Sequence, residues 1–153
     1  MTLWRLFYHV VFVTEDRRPL LKEAFRLRLT GALRAKAEEL GCYVHAIYVR
    51  PEHVHVAVSI PPVQSIAAVV GQMKGATSHL IEREMTPGEP FAWRRGYGVF
   101  SFGERNLPDV VRYINDQDAR HANNQLWQPL ENIEESELLA ASKSDFASPE
   151  VVC

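Results

Sequence analysis

Cysteine is scarce in this chain: 153 residues contain only Cys42 and Cys153. A disulfide framework and a cysteine-built zinc site each need several thiols at set spacings, so both are excluded. Long apolar runs are missing too, with nothing near the ~18–20 residues that cross a bilayer, and the first residues show no signal-peptide pattern. A reducing cytoplasm is therefore the expected location. There is no internal repeat, no low-complexity block and no large charge of one sign. The net charge of −2 argues against a generic polycation that coats nucleic acid. What remains is an ordinary soluble composition, 46% apolar and 24% charged, at a length that makes one domain with one core.

The charge is unevenly placed. From Glu131 onward six acids (Glu131, Glu134, Glu135, Glu137, Asp145, Glu150) face one base, Lys143, a balance of −5; residues 1–130 carry 16 bases against 13 acids, or +3. We therefore divide the chain into a domain at 1–130 and an acidic C-terminal tail at 131–153. Arg17, Arg18, Lys74, Arg94 and Arg95 are candidates for phosphate contacts and Trp93 for base stacking, although such residues are ordinarily just solvated surface.

The run Pro51 to Ile60 holds the most specific signal. It alternates, with Val54, Val56, Val58 and Ile60 on one face and His53, His55, Ala57 and Ser59 on the other, which is strand periodicity. Two imidazoles two residues apart on a strand point the same way, about 7 Å apart at ~3.3 Å per residue. They can hold one metal ion between them, but a pair alone is more often two partly exposed histidines, and a metal site needs further ligands.

Around this strand the pattern reads β-α-β-β-α-β-α. Leu6 to Val13 is a strand, and Lys22 to about Leu40 a helix carrying Phe25, Leu29, Leu33 and Ala37 at helical spacing, with Gly41 as its stop. Tyr43 to Val49 is a strand joined to the histidine strand through the turn Arg50-Pro51-Glu52. Ser65 caps a helix to about Met85, Tyr97 to Phe102 is the last strand, and Asn106 caps a final helix with Pro108 in its first turn. A short Ser136-to-Ala141 segment can be helical. The first six elements fit a ferredoxin-like, split βαβ arrangement of class α+β: an antiparallel sheet with two helices on one face. The valines then meet the helices, and His53 and His55 lie on the opposite, open face.

The final helix carries Tyr113 and Gln117 at i and i+4, on one helical face. A glutamine oxygen is a hard, neutral ligand suited to Mg2+ or Mn2+. A tyrosine hydroxyl beside such an ion can act as a covalent nucleophile in phosphoryl transfer. Alone, this pair is common and is read as one core tyrosine and one surface glutamine.

Together the motifs resemble the single-tyrosine HUH transposases of bacterial insertion sequences, including the REP-associated tyrosine transposase relatives. His53-Val54-His55 matches the His-hydrophobic-His motif, and Tyr113 to Gln117 the helical Tyr-x-x-x-Gln. His9 to Thr14 before Arg17-Arg18-Pro19, Pro51 to His55, Lys74-Gly75 and Gly96 to Ser101 follow the family pattern in order, over roughly residues 5 to 121. Members often carry a more basic stretch where this chain has Glu15-Asp16, and the acidic tail is not assigned to the pattern.

The resemblance implies a metal-dependent single-stranded DNA transposase in which the final helix is catalytic. Tyr113 would be the nucleophile that forms a 5′-phosphotyrosine link, and His53, His55 and Gln117 the ligands of Mg2+ or Mn2+. It also implies a homodimer whose active site can be shared between subunits, acting on single strands with hairpins near element ends. Three other readings stay open: a domesticated relative acting on chromosomal repeat hairpins, a catalytically silent ferredoxin-like DNA-binding module, and a metal-dependent phosphohydrolase with no covalent step.

Overall fold

Alternation along the histidine strand sets the architecture, because its valine set and its histidine set point to opposite faces of the sheet. The structure is a computed structural model and describes residues 2–122. Four strands form one antiparallel sheet: β1 (Phe7–Val13), β2 (Tyr43–Val49), β3 (His53–Ser59) and β4 (Gly98–Phe102), in the spatial order β2-β3-β1-β4. That is the order expected of the split βαβ arrangement.

Helices α1 (Arg26–Glu39) and α2 (Ile66–Leu80) cover one face. Val54, Val56 and Val58 of β3 and Val10 and Phe12 of β1 meet Leu29, Leu33 and Ala37 of α1 and Val69, Val70 and Met73 of α2 in the main core. Full burial of each such side chain contributes about 1.5–3 kcal/mol, so this layer fixes which way β3 faces. Helix α1 ends at Gly41, whose φ of +82° an L side chain resists. Gly41 N–H donates to Glu38 O and Cys42 N–H to Ala37 O, both at 3.0 Å, the paired bonds that close a helix with a left-handed residue. At the start of α2 the Ser65 hydroxyl accepts from Ala68 N–H at 3.0 Å, as its sequence position predicts.

The opposite face is not open. Helix α3 (Leu107–Asn115) crosses β2 and β3, and Val110, Tyr113 and Ile114 pack against Ala46 and Ala57. These two alanines are direct cross-strand partners, so their small side chains leave a shallow patch into which a helix can settle. The expectation of an open face fails because α3 has its own apolar stripe to bury and the alanine patch receives it. His53 and His55 are consequently buried rather than exposed.

Smaller departures concern element ends. The first helix begins with a 3-10 turn, Glu23–Phe25, and the last turn after α2, Ile81–Met85, widens to a π-type turn. Asn106 makes no side-chain cap: a 3-10 turn over Glu104–Asn106 already holds it in near-helical dihedrals, whereas an N-cap needs extended ones for its side chain to accept from the N–H groups of the first turn. The final helix breaks at Asp116 and resumes as α4 (Gln117–Ala122), so Tyr113 and Gln117 lie on two short helices rather than one. Among the described residues no helix is long and apolar enough to cross a membrane. The tail at 131–153, the domain edge at residue 130 and the Ser136-to-Ala141 segment lie outside the described residues.

Candidate active site

The strand register places His9, Ala57, His55 and His53 on the face that α3 covers. His9 pairs with Ala57, Val11 with His55 and Val13 with His53, and directly opposed residues share a face. The His53 and His55 rings stand edge to face with centroids 4.9 Å apart. Tyr113 comes down from α3 with its ring 6.1 Å from that of His55 and 6.2 Å from that of His9. The Arg120 guanidinium lies 4.7 Å over the Tyr113 ring. One chain therefore brings the tyrosine and both motif histidines into a single buried cluster.

Gln117 joins this cluster through another residue. Its Nε2 donates to the Tyr113 carbonyl at 3.1 Å, and a backbone carbonyl can only accept, which fixes the amide with Oε1 on the other side. Oε1 then accepts from His121 Nε2 at 3.1 Å, and the His121 ring is 5.3 Å from that of His53. The break at Asp116 leaves this geometry intact, because the i to i+4 contact between Tyr113 and Gln117 survives it.

The sequence assigns no role to His9 and Glu52, which it places only within the family pattern, and does not single out Asp118 or His121. His9 and His121 carried a readable signal, since each falls on the same face as a motif residue: His9 on β1 beside Ala57, and His121 at i+4 from Gln117. His9 Nε2 lies 2.9 Å from His55 Nδ1, and Glu52 Oε1 accepts from His53 Nδ1 at 3.0 Å. The hydrogen bond from His53, followed by the charges of His53, Arg50 and His121, holds the Glu52 carboxyl below its usual range against the opposing effect of burial. Asp118 anchors α4, accepting from the Tyr48 hydroxyl and from Arg50 Nη1, with Arg26 Nη1 at 3.5 Å.

Two imidazoles and one amide oxygen suit a divalent ion in kind. The ring nitrogens on the Nδ1 side are engaged by Glu52 and His9, so Nε2 of each ring is the atom a metal would take. A carbonyl oxygen has two lone pairs, so a hydrogen bond from His121 and coordination by Gln117 are compatible. Among the described residues no cluster of three or more His, Cys, Asp or Glu side chains is arranged to hold a metal; the third donor, Gln117, is an amide and belongs to none of those types.

The surface candidates divide. Trp93 is half-buried, packs edge-on against Phe12 and Phe91, and donates to Thr77 Oγ1 at 3.1 Å, so the core holds its ring in one orientation. Lys74 Nζ donates to the carbonyls of Arg94 (2.8 Å) and Gly96 (2.5 Å), and burial lowers its pKa. It braces the loop before β4. Arg17, Arg94 and Arg95, with Glu15 and Asp16, line a concavity of about 540 Å³ beside Trp93. That concavity lies at the histidine end of the sheet, where Thr14 N–H donates to Glu52 O at 2.9 Å and Thr14 bridges to Trp93. Arg18 is exposed on the same loop.

The profile of the family described as "Transposase IS200 like" matches residues 2–117. The chain belongs to the IS200-like transposase family. It is 27% identical over 122 residues to the transposase for insertion sequence element IS200 of Salmonella typhimurium, spanning 76% of this chain and 79% of that one. It is 25% identical over 122 residues to the ISDra2 transposase TnpA of Deinococcus radiodurans, spanning 75% and 86%. A crystal structure of a putative transposase from Deinococcus radiodurans R1 superposes with a TM-score of 0.62 at 25% identity, covering 76% of this chain and 93% of that one. The structure of a REP-associated tyrosine transposase bound to a REP hairpin superposes at 0.58 with 18% identity, covering 79% and 74%, and shares the fold. The resemblance carried by the motifs is thereby upheld, and so is the α+β, ferredoxin-like class of this transposase.

Proposed function

We propose that this transposase cuts and rejoins single-stranded DNA with Tyr113 as its nucleophile. The observation that carries the reading is the buried cluster in which the Tyr113 ring lies 6.1 Å from His55, itself 4.9 Å from His53. Tyr113 Oη attacks the scissile phosphorus, the Oη–P bond forms and the P–O3′ bond breaks. The phenolic proton goes to solvent, and the departing 3′ oxygen takes up a proton to become a free hydroxyl. The downstream strand stays attached to the enzyme through a 5′-phosphotyrosine, and attack by another 3′-hydroxyl reverses the chemistry and joins the strands.

His53 and His55 through Nε2, and Gln117 through Oε1, are the residues that would hold Mg2+ or Mn2+. Such an ion supplies charge neutralisation and polarisation at a phosphate. Helix α3 keeps the Tyr113 ring in its packed orientation, and His121 with the Tyr113 carbonyl aligns the Gln117 amide. The arginine-lined concavity at the same end of the sheet offers positive charge along the path of an incoming strand. Hairpin-bearing single strands are the proposed substrate, in line with the hairpin bound by the REP-associated relative, and the working unit is a homodimer, which light scattering checks.

The deciding experiment mixes the protein with labelled single strands and Mn2+ and looks for an adduct that survives SDS. Strands from the flanks of its own gene are compared with chromosomal repeat hairpins. An adduct that is lost with Tyr113→Phe and with EDTA is expected. An adduct that persists in Tyr113→Phe overturns the nucleophile. Metal-dependent cleavage without any adduct favours a phosphohydrolase, and no adduct with DNA still bound favours a silent binding module.

A further inference from the structure

Two neighbours of the motif histidines, Glu52 and His9, take no part in the making or breaking of bonds at the phosphate. Both approach on the Nδ1 side. A carboxylate can only accept, so the 3.0 Å contact between Glu52 Oε1 and His53 Nδ1 requires the imidazole to carry a proton on Nδ1. In its neutral form that ring then has its lone pair on Nε2.

His55 poses the same question with a different partner. Its Nδ1 lies 2.9 Å from His9 Nε2, and one nitrogen of that pair must donate. If His9 donates, the neutral His55 ring carries its proton on Nε2 and has nothing to offer a cation. If His55 donates, its lone pair falls on Nε2, as in His53. The two rings, with centroids 4.9 Å apart, are then close enough for one ion with bonds of about 2 Å to touch both. Steric choice is small, since His9, His53 and His55 are almost fully buried in a sheet whose register is fixed on both sides. Glu52 is equally constrained, its backbone carbonyl accepting from Thr14 N–H.

We propose that Glu52 and His9 are positioning residues: they take the Nδ1 hydrogens of His53 and His55 and so present both Nε2 lone pairs to one divalent ion. This rests on the proposed metal site at His53, His55 and Gln117. A carboxylate stands behind one ligand and a second imidazole behind the other. Partners of this kind orient ligating histidines and raise their donor strength.

The test has two readouts on the full chain, neither of them catalysis. Nitrogen-15 imidazole spectra of the metal-free protein report the tautomers, and Nδ1–H is expected for His53 and His55. Calorimetric titration with Mn2+ reports affinity, and Glu52→Ala and His9→Leu are each expected to weaken it about 10–100-fold. His9→Gln, whose side-chain carbonyl still accepts, is expected to recover part of the loss, which a purely structural role for the ring would not produce. An Nε2–H tautomer at either motif histidine overturns the proposal. So does unchanged Mn2+ affinity in both variants when the parent binds the ion, and that result leaves the metal reading standing. A parent that takes up no Mn2+ overturns the metal reading and the positioning pair with it.

Discussion

Asp118 shows how much one surface carboxylate can organise without touching the reacting groups. The Tyr48 hydroxyl and the Arg50 guanidinium donate to it, while Arg26 donates to Tyr48 at 3.0 Å and lies 4.8 Å over its ring. The hydrogen bond from Tyr48 is the chief reason the Asp118 carboxyl titrates below its usual range, with Arg50 and Arg26 adding to it against desolvation. A carboxyl with a depressed folded-state pKa stabilises the fold above the ordinary carboxylate range, and the contribution is lost as pH falls through the lowered value. Because the side chain is 52% exposed, its ties are worth no more than about 1 kcal/mol. Asp118→Asn is expected to lower stability modestly at neutral pH and to flatten the acid limb of a melting-temperature-against-pH curve. A curve parallel to the parent's would remove Asp118 from the account. The sequence did not single out this residue, since its partners come from α1, β2 and the turn after β2.

At the scale of elements, starts and stops were legible wherever a single residue decides them. Ser65 and Gly41 are both where their chemistry puts them. Gly41→Ala must hold an L side chain at a φ of +82°, which costs about 1–2 kcal/mol, and chemical denaturation is the measurement. A stability equal to the parent's would mean that the turn after α1 has rearranged. Asn106 was misread because its neighbours, not its own side chain, form the turn that starts α3. The break at Asp116 was equally hidden, since a 3.6-residue pattern continues across it. The meeting of α3 with the sheet depends on Ala46 and Ala57 being small. Ala57→Leu, at a position with no exposure, is expected to cost about 1–3 kcal/mol by overpacking. It should also reduce adduct yield by lifting Tyr113, and a stable variant with full adduct yield would show that α3 needs no such patch.

The whole molecule carries a net charge of −2 that conceals a local arrangement of opposite sign. Arg17, Arg94 and Arg95 share one concavity, brought together by a loop in which Asp16 and Arg17 both take left-handed dihedrals (φ of 56° and 52°). Thr14 holds that loop, its hydroxyl donating to the Arg18 carbonyl at 2.7 Å. If the concavity guides the strand, Arg17→Ala with Arg95→Ala should weaken single-stranded DNA binding across all sequences. The slope of log affinity against log salt should also become shallower by about 0.7 for each lost phosphate contact. Fluorescence anisotropy at several salt concentrations measures both, and an unchanged slope would move the DNA path elsewhere.

The sequence by itself determined the strand alternation of residues 53 to 60, the helical spacing that builds α1 and α2, and the pairing of a His-x-His strand with a Tyr-x-x-x-Gln helix. These are properties of short windows, set by the two-residue and 3.6-residue periods of the backbone and by the chemistry of single side chains. The tertiary structure decided what stands opposite them. Only the antiparallel register brings His9 to His55, only the docking of α3 on two alanines buries the histidines and lowers Tyr113 beside them, and only the fold carries Asp118 to Tyr48 and Arg50. Each of these contacts joins residues far apart in the chain, so no local period encodes it, and packing the apolar stripe of α3 against the sheet is what selects it.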